Sequence, residues 1–282
     1  MIIVTGATGR LGRAVVDRLT ERVPADQLGV SVRDPEKAAD LAAQGIRVRR
    51  GDFDDPDSLA FAFEGARQVL VVSGPAEPAP HHVALDSAKT AGAERVLYTS
   101  HQAANPDSLF IATRGHAATE QDLLNSGVPF TALRNGFYAS TPVLMVRSAL
   151  ETGELILPED GPFSWTAHRD LADAAAIALT EPGRVDGITP PLTGPELFDY
   201  ADVAAIASDL LGRKVTRITV PDEEWRQAAL GRGMPEFLVD LTLGIFAAAR
   251  RGEFAVVDPT LPALIGRPAT TLREVLAAEL PT

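Results

Sequence analysis

Three glycines near the start of the chain have the spacing of a phosphate-binding turn. Gly6, Gly9 and Gly12 follow the apolar run Met-Ile-Ile-Val-Thr and precede an amphipathic stretch. In this order the first glycine permits the tight turn, the second lets the backbone approach a pyrophosphate, and the third allows close helix–strand packing. The helix amides and dipole then favour the phosphates. The loop residues predicted to hold a dinucleotide are Gly6, Thr8, Gly9, Arg10, Leu11 and Gly12.

The end of the second predicted strand discriminates between the two nicotinamide dinucleotides. Asp34 precedes a proline suited to the first helical position, so its carboxylate is predicted to cap that helix. Arg33 then remains for a ribose 2′-phosphate, which matches the fork of a guanidinium. The alternative is a solvent-exposed arginine in a loop. The first interpretation predicts NADPH as the cofactor.

The same device recurs after the third predicted strand, in the segment GDFDDP at residues 51–56. Asp55 is predicted to cap the next helix. Asp52 is then left to accept from the adenine amino group and Phe53 to cover the ring, unless the segment is a plain acidic turn. Later strands end in further residues predicted to contact the cofactor: Ser73, Gly74, Thr99, Ser100, Asn135 and Gly136.

Short-chain dehydrogenases normally use a tyrosine and a lysine four residues later, the lysine lowering the pKa of the phenol. This chain has no such pair. Its tyrosines are followed at that distance by a glutamine, a proline and an alanine, at Tyr98, Tyr138 and Tyr200. Alcohol or ketone chemistry through that pair is excluded, and the same absence argues against a sugar-nucleotide epimerase.

In place of that pair, the segment RGHAATE follows the fifth predicted strand and contains His116. His116 is expected near a helix start, where the dipole disfavours the imidazolium. There it would donate a hydrogen bond or orient the nicotinamide ribose; the alternative is a solvated first-turn histidine. Glu120, one turn further, is expected to pair with His116 or to face water.

Aromatic residues beyond the sixth predicted strand would form the acceptor site. Phe137 and Tyr138, in LRNGFY, would stack on a flat acceptor, and Trp165 would form the opposite wall. Equally, Phe137 fits an ordinary core position and Trp165 fits an anchor of the lobe. His168-Arg-Asp170 looks like a fragment of a hydrolytic triad, but Asp170 is better explained as a helix cap, and no serine lies in a nucleophile elbow.

Apolar runs alternate with amphipathic stretches through the first half, which predicts an α/β fold with a Rossmann-type, doubly wound parallel sheet. Strands are predicted at 1–5, 28–33, 46–50, 68–73, 95–100 and 129–135, with short ones at 153–158 and 163–167. Helices are predicted at 11–21, 35–43, 56–64, 81–91, 117–125, 169–179, 199–211, 222–230, 236–249 and 271–279. Residues 1–152 are assigned to the dinucleotide-binding domain and 153–282 to a smaller substrate-binding lobe, with 169–180 packing back on the first domain.

The composition excludes several classes of function. The net charge is −12 and the pI about 4.9, so binding to nucleic acid or an anionic membrane is not expected. The chain has no cysteine, which excludes disulfides, thiolate catalysis and cysteine-ligated zinc, and no metal site is expected. Neither a signal peptide nor an apolar run of transmembrane length is apparent, so the cytoplasm is the expected location.

Five segments spread along the chain carry a resemblance to a known family: VTGATGRLG, VPADQLGVSVRDPEKAADLAAQGI, AERVLYTS, HAATEQDLLNSGVPFTALRNGFY and LIGRPATTLREVL. They resemble the NmrA-like, atypical short-chain dehydrogenases, and most of all the bacterial NADPH-dependent quinone oxidoreductases and triphenylmethane reductase. The glycine loop is common to many dehydrogenases, whereas the His-x-x-x-Glu helix followed by LRNGFY is more specific. The resemblance implies NADPH in the loop and a planar, electron-poor acceptor between the lobes. Plant relatives place a catalytic lysine where His116 falls.

Two functions are compatible with this resemblance. The first is an NADPH-dependent reductase that transfers hydride to a quinone or a similar small acceptor. Its product, a stabilised phenolate, needs only water or a weak donor, so proximity and orientation dominate. The alternative is a non-catalytic, NAD(P)-sensing regulator that binds a protein partner. A homodimer is an assembly that the sequence leaves open.

Overall fold

The predicted parallel sheet forms the centre of the fold in the computed structural model, which describes residues 1–74 and 78–281. The strands are β1 (Ile2–Thr5), β2 (Leu28–Val32), β3 (Arg47–Arg50), β4 (Gln68–Val71), β5 (Arg95–His101), β6 (Phe130–Asn135), β7 (Glu154–Pro158), β8 (Gly187–Ile188) and β9 (Thr216–Val220). The helices are α1 (Arg10–Thr20), α2 (Ala39–Ala43), α3 (Pro56–Phe63), α4 (Ala79–Thr90), α5 (Ile111–Asn125), α6 (Ser140–Ser148), α7 (His168–Thr180), α8 (Tyr200–Leu211), α9 (Asp222–Gly231), α10 (Glu236–Arg250), α11 (Thr260–Ile265) and α12 (Leu272–Glu279). Short 3₁₀ turns occupy Ala25–Gln27 and Pro35–Ala38.

Seven of the described strands form one sheet in the order β3-β2-β1-β4-β5-β6-β8, with every neighbouring pair parallel. The chain builds the sheet outwards from β1 to β3, then returns to the other side of β1 with β4. The crevice beyond the carboxyl ends of the strands at such a reversal is where doubly wound sheets bind their ligands. The predicted fold class is confirmed, and all six long predicted strands lie in this sheet.

Alternate residues of β1 face opposite sides of the sheet, as the pleat requires. Ile2 and Val4 belong to a core shared with α1 and α7, whereas Ile3 belongs to a second core shared with α3, α4 and α5. Helix α7 reaches the first core from beyond residue 152, the predicted domain boundary, which itself stays a prediction. Helices on both faces explain why β1 and β2 are buried throughout.

The later part of the chain builds a second layer beyond the carboxyl ends of β5 and β6. Strands β7 and β9 pair in parallel, and an aromatic core joins β7 to α6, α8 and α10. Gln102 fixes this layer to the sheet: its side-chain amide donates to the Phe254 carbonyl (3.2 Å) and its oxygen accepts from the Ser164 hydroxyl (2.8 Å). The lobe therefore stands over the edge where the cofactor is expected.

Two predicted elements differ from those observed. Residues 163–167 form no strand of a sheet. They make only isolated bridges, because Phe163 pairs with Phe198 whereas Thr166 pairs with Tyr138 in another part of the chain. Helix α5 begins at Ile111 instead of residue 117 and contains a buried glycine at Gly115. A glycine inside a helix costs about 1 kcal/mol, and the pattern alone could not reveal that burial offsets this cost.

Asp170 does not cap α7, contrary to the prediction. The helix begins at His168 with Ala167 before it, so Asp170 lies within the first turn. Its fully buried carboxylate accepts from the backbone N–H of Thr270 (2.6 Å), the Thr270 hydroxyl (3.0 Å) and the Arg267 guanidinium (2.7 Å). Asp170 therefore fastens α7 to the segment that leads into α12.

Two further sets of features are absent from the part of the chain that the structure describes. None of its helices combines the length and apolar character needed to cross a bilayer. No group of three or more histidine, aspartate or glutamate side chains in those residues is arranged to hold a metal ion.

Replacing Asp170 with alanine should lower the free energy of unfolding by about 3 kcal/mol, because the buried amide and guanidinium lose their acceptor. Urea unfolding followed by circular dichroism measures this loss. Asp173→Ala is the matched control, since Asp173 pairs with the same Arg267 and with Arg18 but is partly exposed. It should cost about 1 kcal/mol or less. Equal losses for both variants would contradict the fastening role.

Candidate cofactor site and active site

The glycine loop joins β1 to α1 in the predicted geometry. Gly6 has a φ of +62°, a left-handed conformation that favours glycine. A Cβ on Gly12 would lie 2.3 Å from the Gly6 carbonyl oxygen, so only glycine allows α1 to approach this closely. Gly9 is exposed before α1, and no side chain caps the helix. The amide N–H groups of Arg10, Leu11 and Gly12 donate to no acceptor among the described residues, which leaves this helix end open to an anion.

The side chains of the loop have separate tasks. Thr8 is exposed, and Leu11 is buried in the core below α1. The Arg10 guanidinium contacts Glu279 of α12 at 2.5 Å. The loop therefore contributes backbone amides to a ligand more readily than side chains.

Arg33 lies where a 2′-phosphate reader is expected. The Gly6 amide donates to the Ser31 carbonyl at 3.1 Å, so the end of β2 adjoins the glycine loop. Asp34 caps the following turn, its carboxylate accepting from the Glu36 amide at 3.2 Å, which confirms that prediction. Arg33 is exposed and forms no hydrogen bond or ion pair with any described residue. Its guanidinium is thus available to an anion.

The turn after β3 also folds as predicted. Asp55 caps α3 by accepting from the Ser58 amide at 3.1 Å. Asp52 accepts from the Asp54 amide through one carboxylate oxygen at 3.3 Å. Phe53 is half-buried and meets the ring of His81 edge-on, with centroids 6.2 Å apart. Contacts of Asp52 and Phe53 with adenine stay predictions.

Three hydroxyls predicted to contact the cofactor bond mainly to protein groups. The Ser73 amide donates to the Thr99 hydroxyl oxygen at 2.8 Å, and the two hydroxyls lie 3.0 Å apart. The Ser100 hydroxyl donates to Glu120 at 2.6 Å. Thr99 and Ser100 are buried, whereas Ser73 is partly exposed and Gly74 is exposed. The contacts of these four residues with the cofactor stay predictions.

The carboxyl end of β6 contains a buried polar atom without a partner. The side-chain oxygen of Asn135 accepts no hydrogen bond from any described residue, and such buried acceptors are rare in folded proteins. A carboxamide such as that of nicotinamide carries the N–H donors this atom lacks, so the donor set fits a nicotinamide dinucleotide.

Gly136, the next residue, packs closely against the protein: its amide donates to the Leu192 carbonyl, and a Cβ would lie 2.1 Å from the Thr166 hydroxyl oxygen. Glycine at 136 is therefore required for packing.

His116 lies in a cluster with His81, Tyr98 and His101. Its Nδ1 lies 2.7 Å from the Tyr98 hydroxyl oxygen, which also lies 3.4 Å from Nδ1 of His81. The His101 ring stacks on the His116 ring with centroids 5.9 Å apart. Because α5 begins at Ile111, His116 belongs to the second turn and is only partly exposed. The alternative of a solvated first-turn histidine is wrong.

Burial keeps His116, His101 and Tyr98 neutral. It holds the pKa of His116 well below 6.5, and the nearby His101 and His81 rings lower it further. Burial also lowers the pKa of His101 to about 3 and raises that of the Tyr98 phenol. At neutral pH, His116 is therefore a hydrogen-bonding group without charge, as expected for a histidine that polarises a carbonyl rather than one that delivers a proton.

Glu120 takes neither of its predicted roles. It is buried, and its carboxylate forms two hydrogen bonds with the Arg134 guanidinium, at 2.9 and 2.6 Å, besides the bond from Ser100. A buried carboxylate needs such a cation. The pair joins α5 to β6 and fixes the helix that carries His116.

The predicted aromatic walls divide into two groups. Phe137 and Trp165 are buried, with ring centroids 5.7 Å apart, and the Trp165 indole N–H donates to the Phe198 carbonyl. Neither ring has a free face for an acceptor, so the core and anchor alternatives are the correct ones. Tyr138 is half-buried, with its ring 4.4 Å from that of His168. Its contact with an acceptor stays a prediction.

Sequence patterns gave no role to His81 or His101, and they brought up Tyr98 only because no lysine follows it four residues later. One signal was available. His101 ends β5, His81 opens α4 after the neighbouring β4, and adjacent parallel strands bring their carboxyl ends together.

Comparison with known proteins identifies the family to which the chain belongs. Residues 6–182 match the family model described as NAD(P)H-binding. The chain is 36% identical over 278 residues to quinone oxidoreductase 2 of Escherichia coli strain K12, covering 97% of this chain and 96% of the relative.

Two solved structures are similarly close. The NADPH-dependent quinone oxidoreductase from Escherichia coli, complexed with NADPH, superimposes with a TM-score of 0.92 at 34% identity, covering 99% of both chains. Triphenylmethane reductase of Citrobacter sp., complexed with NADP(H), gives 0.91 at 34% identity, covering 99% of this chain and 100% of that one. The predicted nicotinamide dinucleotide cofactor and the sequence resemblance are both confirmed, whereas the individual cofactor-contacting residues stay predictions. The chain belongs to the NAD(P)H-binding family that includes quinone oxidoreductase 2 of Escherichia coli.

Proposed function

We propose that the protein is an NADPH-dependent reductase that transfers a hydride to a quinone or a similar planar, electron-poor acceptor. The observation that carries this proposal is the likeness, over almost the whole chain, to quinone oxidoreductase 2. The likeness to triphenylmethane reductase widens the acceptor class to triphenylmethane dyes. Such acceptors take a hydride without a strong acid, which agrees with the missing tyrosine–lysine pair.

The open end of α1 and the exposed Arg33 support NADPH. The first-turn amides suit the pyrophosphate, Arg33 suits a 2′-phosphate, and the capping role of Asp34 removes a competing carboxylate. Asn135, with its unpaired oxygen, suits the nicotinamide carboxamide. Bound there, NADPH supplies the hydride.

His116 acts on the acceptor as a neutral group. A quinone that gains a hydride becomes a hydroquinone anion, whose negative charge is delocalised. A hydrogen bond from His116 stabilises that developing charge, and solvent completes the protonation. The buried rings around His116 limit water at this end of the cleft and so strengthen the bond.

The partner of this site is a small molecule, and we further infer a cytoplasmic protein, in line with its net charge of −12 and its lack of cysteine. A homodimer remains compatible with this function.

Loss of NADPH absorbance with a panel of quinones and cationic dyes tests the proposal. Turnover with at least one quinone supports it. Tight NADPH binding without oxidation by any acceptor would overturn it in favour of an NAD(P)-sensing regulator.

Arg33→Ala should weaken NADPH binding by about 1.5–3 kcal/mol, the range for a charge-assisted hydrogen bond. NADH binding should stay nearly unchanged, because NADH has no 2′-phosphate. Calorimetric titration with both cofactors measures the difference. Arg67→Ala removes an equal charge at the opposite, amino-terminal edge of β4 and should affect neither cofactor. Equal losses for NADPH and NADH on Arg33→Ala would show that Arg33 does not read the phosphate.

Gly9→Val should abolish cofactor binding in a folded chain, because the branched side chain occupies the space that the pyrophosphate needs. Equilibrium dialysis measures binding, and circular dichroism measures folding. Gly231→Val is the control, since a Cβ there meets nothing within 4 Å. Near-normal NADPH affinity for Gly9→Val would reduce the loop to a structural turn.

His116→Ala should lower kcat about ten- to a hundredfold, at or below the lower end of the range for acid–base groups. The wild-type profile of kcat between pH 5 and 9 should have no inflection from His116, because burial lowers its pKa and only the neutral form is populated. Stopped-flow rates over that range provide the test. An inflection near pH 6.5 that disappears in His116→Ala would instead identify His116 as a proton donor.

A further inference from the structure

The hydrogen bonds around Tyr98 determine which nitrogen of His116 carries the hydrogen. A neutral imidazole donates through one ring nitrogen and accepts through the other, and a hydrogen bond to one nitrogen fixes the role of the other. An acceptor molecule can meet only the nitrogen that the protein leaves unused. The tautomer therefore decides whether His116 offers it an N–H or a lone pair.

The assignment begins at His81. The Gly74 amide N–H donates to Nε2 of His81 at 3.2 Å. An imidazolium has no lone pair to accept with, so His81 is neutral and carries its hydrogen on Nδ1. This Nδ1 lies 3.4 Å from the Tyr98 hydroxyl oxygen and 3.5 Å from the Thr119 hydroxyl oxygen. Nδ1 of His81 is thus a donor and cannot receive the Tyr98 hydrogen.

The Tyr98 hydrogen then has its nearest acceptor in His116. Nδ1 of His116 lies 2.7 Å from the Tyr98 oxygen, the shortest contact in the cluster. The Thr119 hydroxyl is the weaker competitor: it donates its own hydrogen to the Gly115 carbonyl at 3.0 Å, and its oxygen lies 3.5 Å from Nδ1 of His81, whose hydrogen it can accept. His116 accepts through Nδ1 and so carries its hydrogen on Nε2. Among the described residues, nothing accepts from that Nε2.

We propose that Tyr98, oriented by His81, is a positioning residue that holds His116 in its Nε2–H tautomer and thereby directs an N–H at the reacting oxygen of the acceptor. The inference rests on the proposed function, since it assigns the donor for that reaction. The quinone gains a hydride, which is one proton with two electrons, from NADPH, and one quinone oxygen becomes negative. The Nε2–H donates a hydrogen bond to that oxygen, no proton leaves His116, and water supplies the proton of the hydroquinone.

This arrangement also narrows the substrate class. An acceptor must present a hydrogen-bond acceptor atom beside its conjugated system, as the carbonyl oxygen of a quinone does. A cationic dye without such an atom gains nothing from the Nε2–H. Tyr98→Phe should therefore lower kcat for quinones and leave kcat for such dyes nearly unchanged.

The tautomer can be observed without turnover. In a long-range ¹H–¹⁵N correlation spectrum of the ¹⁵N-labelled full chain, a single neutral tautomer gives two widely separated ring-nitrogen shifts, and exchange between tautomers brings them together. His116→Gln identifies the His116 signals among the five histidines. The expected result is pure Nε2–H in the wild type and averaged shifts in Tyr98→Phe, which removes only the hydroxyl. A pure Nδ1–H form, or unchanged shifts in Tyr98→Phe, would overturn the proposal.

Kinetics test the consequence. Tyr98→Phe should lower kcat for a quinone about tenfold, comparable with the loss of a partner that orients a histidine, while KM for NADPH stays within about twofold because the cofactor contacts are untouched. Tyr200→Phe is the matched control: Tyr200 is equally buried but lies in the core of the lobe.

A double variant separates positioning from a structural effect. The glutamine amide of His116→Gln reaches about as far as Nε2 and has no tautomer to fix, so adding Tyr98→Phe to it should change kcat less than twofold. A full tenfold loss in the glutamine background would mean that Tyr98 acts by another route and would refute the proposal. If no acceptor oxidises NADPH even in the wild type, the proposed function fails, while the spectrum still reports whether Tyr98 sets the tautomer.

Discussion

The close approach of α1 to the Gly6 carbonyl is the constraint on which the cofactor site depends. A single Cβ at Gly12 would force the helix away from β1, and the first-turn amides would move with it. The same approach brings α1 against α7 and lets both cover one face of the sheet. Phosphate recognition and core packing therefore depend on the same close approach of α1 to β1, which is possible because Gly12 has no Cβ.

A second interaction positions the chemistry. The buried Glu120–Arg134 pair links α5 to β6, and the Tyr98–His116 hydrogen bond links α5 to β5. Polar contacts inside an apolar setting have a narrow range of geometries. They hold the His116 ring at the carboxyl ends of two adjacent strands, and the same burial keeps that ring uncharged. Position and protonation state thus have a common cause.

The sequence predicted those features that local chemistry determines. Periodicity placed the six long strands of the sheet, glycine spacing placed the dinucleotide loop, and proline after aspartate placed the caps at Asp34 and Asp55. Features that depend on distant partners were out of reach. Asp170 looked like a cap because Thr270 is one hundred residues away, and Glu120 looked solvated because Arg134 pairs with it across an element boundary.

The aromatic residues and His116 show the same limit. Nothing local distinguishes a Trp165 that lines a cleft from one that fills a core, since the decision rests on Phe163 and Phe198. Helix α5 begins six residues earlier than predicted, which places His116 in its second turn and partly inside the protein. Its hydrogen bond with Tyr98 depends on the packing of α5 against β5.

The path of the chain through the first core has a consequence for its synthesis. One face of β1 and β2 is covered by α1 and α2, which follow soon after, but also by α7 and α11, which the ribosome delivers much later. Until Leu264 has left the exit tunnel, part of the apolar face of the sheet stays in contact with water. Such non-local closure slows folding and exposes the nascent chain to aggregation. The cofactor loop can thus be synthesised early, but its supporting core is completed only when almost the whole sequence is present.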